Sequence, residues 1–230
     1  MTVRAANAVM IFYLDYLIKN VKTTSAPNEL PMSPRPYRVG KRRKAAVEAT
    51  RARIVEAARD LLADPHATAF TIDAIAERAD VARMTVYYQF KSKAKLLEAL
   101  FDDFGARANM KKIQEAFRDA DPAQGFTKLI EVFCHLWKTQ GALIRRLSAM
   151  AVLDPEVDAA MQERGSWRRE AIARIVERMS LGPNAGDVFD LLYVLTSFET
   201  YATLAAGHRA QKDIAALLAR ATRALVASSS

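Results

Sequence analysis

Between Thr71 and Ala79 the apolar residues Ile72, Ile75, Ala76 and Ala79 recur at i, i+3, i+4 and i+7, the stripe of an amphipathic helix packed on one side. Thr71 precedes the stripe, where its hydroxyl can accept from an unpaired backbone N–H. Asp80, Val81 and Ala82 then predict a tight turn, since Asp is one of the few residues besides Gly that tolerates a left-handed backbone. From Arg83 a second short helix follows, in which Val86 and Phe90 point to the core. Met84, Thr85 and Tyr88 fall on the opposite side, and Thr85, Tyr87 and Gln89 add an outward polar and aromatic face. Such a face either packs on a neighbouring domain or reaches phosphates and base edges from the major groove.

The rest of the chain also reads as helices. Leu97, Leu100, Phe101 and Phe104 form one stripe of a helix expected over 96–110. Asp121-Pro122 and Asp154-Pro155 each resemble a capping residue followed by Pro at the first helical position. Gly141, Gly182 and Gly207 mark expected stops, giving helices over about 122–140, 142–152, 155–181, 185–206 and 210–227. Gly and Pro are sparse, eight each, and no alternating run appears, so the fold class is all-α. The expected organisation is an N-terminal extension with a basic arm, disordered or weakly ordered, over 1–44, a helix-turn-helix domain over 45–96, and a second helical domain over 97–230.

Charge decides between the two readings of the outward face. The net charge is +8, and the segment 35–53 alone holds eight cations against Glu48, among them Arg42, Arg43 and Lys44. Excess charge concentrated just before a helix-turn-helix is the footprint of a polyanion-binding arm.

On these residues the chain resembles the tetracycline-repressor-like (TetR/AcrR) family of transcriptional regulators. The resemblance rests on ARIVEAARDLLAD, the threonine opening the next helix, I-A-x-x-A, the valine of the turn and T-V-Y-Y-Q-F-K-S-K-A-K-L-L, about 45 residues in all. It implies that Thr71 touches backbone phosphate and that Arg83, Met84 and Thr85 face the groove. It further implies that Tyr87 and Gln89, with Tyr88 on the same outer face, meet phosphate or base edges, and that Lys93 holds phosphate. Four residues depart from the family pattern: Asp80 for Gly, Ala82 for Ser or Thr, Met84 for Gly or Pro, and Gln89 for His or Tyr. Ala82 removes a cap worth about 1 kcal/mol, and the four together bear on sequence specificity more than on binding.

Two faces call for partners. Residues 187–204 carry apolar side chains around more of the helix than one core covers, and 210–227 adds a second apolar face. A homodimer through these two C-terminal helices would set two reading heads about 34 Å apart on a double-stranded operator. For a small-molecule effector of apolar or aromatic character, the large residues Phe133, Trp137, Met150, Trp167, Phe189, Tyr193 and Phe198 are the candidate lining, although aromatic residues at helical spacing are core more often than pocket.

Enzymatic readings fare poorly. His66, His135 and His208 have no metal-ligand spacing, no cofactor or phosphate loop is expected, and Cys134, alone, forms no internal disulfide. A cytoplasmic location fits. Residues 8–18 are apolar but too few for a membrane span of roughly 20 residues and are broken by Asp15. A translation start at Met32 is one reading of that segment, and a short helix docked on the body is the other. The function expected is a DNA-binding regulator, a repressor released by its effector, with an activator or a non-DNA helical interaction module as alternatives.

Overall fold

The computed structural model describes residues 36–67 and 69–229, whose regular elements are all helices, with no strand among them. The helices are α1 (Pro36–Ala63), α2 (Ile72–Arg78), α3 (Arg83–Phe90), α4 (Lys93–Arg107) and α5 (Ile113–Arg118), then α6 (Pro122–Ala151), α7 (Pro155–Val176), α8 (Ala185–Leu195), α9 (Phe198–Ala206) and α10 (Gln211–Ser229). The chain divides at Lys44/Ala45 into two units. In the first, residues 36–44 are the start of α1 rather than a flexible arm. Pro36 suits a first helical turn, where no N–H is needed, and the Lys, Arg and Ala that follow favour helix. The expectations for residues 1–35, including the Met32 start and the short apolar segment, lie outside the described residues.

The second unit has two cores. One gathers Ile54, Ala58, Leu62, Ile75, Val86, Phe90, Leu96 and Leu100, and continues past residue 96 into Leu143, Leu147 and Val157. The other gathers Phe126, Ile130 and Phe133 with Ile172, Leu192, Ile214 and Leu218. A single helix, α6, contributes its first half to one core and its second half to the other.

That continuity corrects the break expected at Gly141. A Cβ there would lie 2.8 Å from Cε2 of Phe198, so the glycine lets α9 approach the middle of α6 without ending it. Its helix-propensity cost, about 1 kcal/mol, is small beside the packing that a thirty-residue helix makes at both ends. Gly125 serves a similar approach, since a Cβ would sit 2.5 Å from the Ala116 carbonyl oxygen of α5, a helix the sequence reading did not foresee. The helix expected over 96–110 runs instead from Lys93 to Arg107, because the Ser92 side chain caps it by accepting from Lys95 N. The expected 155–181 segment leaves the α conformation after Val176.

A further correction concerns 185–206, expected as one helix and observed as two. Ser197 caps α9 by accepting from Thr200 N, and the Thr200 hydroxyl donates to the Val194 carbonyl at 2.7 Å, so local side-chain bonds displace the helical ladder. Carbonyls near the break find donors elsewhere: Trp137 Nε1 donates to Thr196 O at 3.0 Å, and Arg168 Nη1 donates to Tyr193 O at 2.6 Å.

Candidate nucleic-acid interface

The turn between α2 and α3 is set by one left-handed residue. Asp80 has φ 52°; its N–H donates to Glu77 O at 3.1 Å, while Val81 N–H reaches back to Ala76 O at 3.0 Å. These two bonds close the end of α2 as a left-handed cap, satisfying carbonyls the helix would otherwise leave unpaired. Thr71 caps the other end of α2 by accepting from Ala74 N at 3.2 Å. Ala82 opens α3 with no side-chain cap, as the missing hydroxyl requires.

The orientation of α3 follows from its anchors. Val86 and Phe90 are buried in the first core, which turns Met84 and Tyr88 outward, 72% and 67% exposed. Arg83 is exposed beside them, while Thr85, Tyr87 and Gln89 are half-buried, Tyr87 packing partly on the core. Arg83 is also tied to α2, its Nη1 lying 2.8 Å from Asp73 Oδ2, and its guanidinium sits 5.7 Å from the Tyr87 ring centroid. Lys91 lies over the Tyr88 ring at 5.1 Å. Thr71, Arg42, Arg43 and Lys44 are exposed.

The sequence reading missed Arg51 as an anchor. Its guanidinium stacks 4.1 Å over the Phe90 ring, and Nη1 donates to Gln89 O at 3.1 Å, clamping the last turn of α3 to α1. A signal existed: Arg51 stands three, four and seven residues before Ile54, Val55 and Ala58, on the buried stripe of α1.

Lys93 is placed differently from the phosphate contact that the resemblance implied. It is half-buried, with only 13% of its side chain exposed, and its ammonium pairs with Asp154. Asp154 caps α7 by accepting from Glu156 N and Val157 N, which puts its carboxylate against the first turn of α4. The Lys93 hydrogen bond holds that carboxyl below the usual carboxylate range. Other polar ties join the reading head to the remaining helices. Arg59 Nη1 bridges Asp103 and Gln140, at 3.1 and 2.8 Å, and Arg146 Nη2 donates to Ala67 O at 2.6 Å.

Two buried side chains and an arginine clamp thus fix one side of α3 and leave Met84 and Tyr88 turned to solvent on the other. Residues 54–100 match the family profile of the bacterial regulatory proteins, tetR family. The segment 54–100 is thus a tetR-family domain. Among solved structures, its fold is similar to that of a transcriptional regulator from Rhodococcus sp. Rha1, with a TM-score of 0.57, 14% identity, and coverage of 77% of this chain and 96% of that one. A TetR-like transcriptional regulator from the same source gives a TM-score of 0.54 at 17% identity, again over 77% of this chain and 96% of that one. No curated protein sequence matches the chain.

The residues expected to line an effector pocket are not gathered into one cavity among the described residues. Phe133, Trp137 and Phe198 form a row of ring contacts, with centroids 6.1 and 5.8 Å apart. Phe189 and Tyr193 stack on each other, with Arg169 over both rings. Met150 packs on the first core. Trp167 alone of the set lines the cavity of about 300 Å³ between α4 and α7. Cys134 is buried, and desolvation pushes its thiol up to about 12, so it stays protonated near neutrality. Among the described residues no helix is long and apolar enough to cross a membrane.

Proposed function

We propose that the chain is a homodimeric repressor that binds double-stranded operator DNA through α3 and is released by a small-molecule effector, acting in the cytoplasm. The observation that carries the DNA-binding part is the exposure of Met84 and Tyr88 on a helix whose opposite face is fixed. Large side chains held rigidly in solvent beside Arg83 suit the floor of a major groove, where apolar contacts and hydrogen bonds read base edges. Arg42, Arg43, Lys44 and Thr71 supply backbone contacts.

Dimerisation is supported by α8, where Leu191 and Val194 are 49% and 58% exposed, and by the apolar face of α10. In this reading residues 45–96 are the head and 97–230 the effector-binding and dimerisation part. The effector favours a dimer whose heads no longer match the operator spacing, and operator DNA weakens effector binding by the same factor.

The test is a gel-shift titration with duplex from the region upstream of the chain's own gene, against a scrambled duplex at two salt concentrations. Preferential binding that weakens steeply with salt is expected. Equal, shallow affinity for both duplexes would favour a protein-interaction module instead.

A further inference from the structure

We infer that the effector site is the cleft between α4 and α7, and that it takes a small organic cation with a flat apolar body. The inference rests on the reading of the chain as an effector-responsive regulator.

The cleft exists because small residues face each other where two helices would otherwise close. Ala94 on α4 and Ala159 and Ala160 on α7 line the cleft, leaving about 300 Å³, at the lower end of the range that holds small-molecule ligands. Its apolar walls are Phe101 from one helix and Trp167 from the other. On α7 the positions 156, 159, 163 and 167 fall on one stripe, so the acidic residues Glu156 and Glu163 face the cleft along with the indole.

Charge selects the ligand's sign. The cation that lines the cleft and one beside it are engaged: Arg164 Nη1 lies 3.9 Å from Asp102 while its guanidinium stacks on Trp167, and Lys95 Nζ lies 2.5 Å from Glu98. The carboxylates of Glu156 and Glu163 have no ion-pair partner within 4.0 Å among the described residues. An apolar slot edged by two unpaired carboxylates attracts a cation, repels an anion and offers a neutral ligand only its walls.

The position couples the site to the head. Only Lys91 and Ser92 separate the recognition helix α3 from α4, and Ala94 lies on the first turn of α4, next to the Lys93–Asp154 pair. A body wedged into the cleft moves α4 away from α7, and α3 with it.

Three probes sharing one ring system test this on the full chain by equilibrium dialysis: (1-naphthylmethyl)trimethylammonium, 1-naphthalenemethanol and 1-naphthaleneacetate. The cation should bind at least tenfold more tightly than the alcohol, and the acetate least. In the Glu156→Gln/Glu163→Gln double variant the preference for the cation should vanish while the alcohol still binds. Ala159→Phe, at an exposed position, should exclude all three. Equal binding of the three probes, or cation binding untouched by either variant, overturns the assignment. Circular dichroism unchanged in both variants, and ligand-free operator affinity unchanged in the double glutamine variant, show that the fold persists. Cation binding that leaves operator affinity unaltered overturns the effector role of the cleft. A chain that binds no duplex even without ligand instead refutes the regulator reading.

Discussion

Tyr88 and Phe133 are both aromatic residues on well-formed helices, yet one is 67% exposed and the other 4%. The difference lies in how much of each helix the core claims. In α3 the core takes only Val86 and Phe90, on one side of an eight-residue helix, so every other large residue must face out or lean on its neighbours. In α6 two cores and three later helices surround the chain, and Phe126, Phe133, Leu143 and Leu147 are consumed as packing. An exposed aromatic on a one-sided helix is thus a candidate contact, whereas an aromatic on a surrounded helix is structure.

Phe133→Ala puts the largest strain on that contrast. If the ring is packing, its removal should lower stability by about 3–5 kcal/mol, read from urea unfolding. A loss under 1 kcal/mol would mean that the ring lines an open cavity, and the distinction between the helices would collapse.

The same contrast explains what the sequence disclosed. The reading head is built from short helices, each with one buried stripe, so Ile75, Val86 and Phe90 were legible from spacing and the left-handed turn at Asp80 from residue type. The Asp-Pro starts of α6 and α7 were legible for a similar local reason, because a cap and its proline are neighbours in the chain. Gly141 misled because a glycine that ends a helix and one that admits a ring look alike until Phe198 is in place. The cleft was hidden for a related reason: it is made by the small residues Ala94, Ala159 and Ala160, while a search for large aromatic residues leads to the core. The Lys93–Asp154 pair, 61 residues apart in sequence, leaves no periodic trace at all.

A smaller effect is expected from the exposed face. Met84→Ala and Tyr88→Ala should each cost about 1–3 kcal/mol of operator affinity, the range of a good base contact. Their stability should stay within about 0.5 kcal/mol of the parent, as for other surface changes. Parallel gel shifts and urea melts separate the two quantities. A stability loss as large as the affinity loss would place these residues in an unrecognised interface within the chain.

The smallest effect lies at the joint between head and body. Asp154→Asn keeps an oxygen able to cap α7 but removes the charge that Lys93 faces, so the loss is that of one partly buried charged hydrogen bond, about 1–2 kcal/mol. Because Lys93 depresses the Asp154 pKa in the folded chain, this stabilisation is complete above the ordinary carboxylate pKa of about 3.9. It disappears as pH falls through the lower folded value. The stability gap between parent and variant should therefore be constant near neutrality and close only in acid below about pH 4. Released from Asp154, the Lys93 ammonium also becomes free to meet a phosphate, so operator affinity of the variant should rise and its salt dependence should steepen by about one counterion. An unchanged salt slope would mean that Lys93 stays out of reach of the duplex even when unpaired, leaving it a structural tie between α4 and α7 and nothing more.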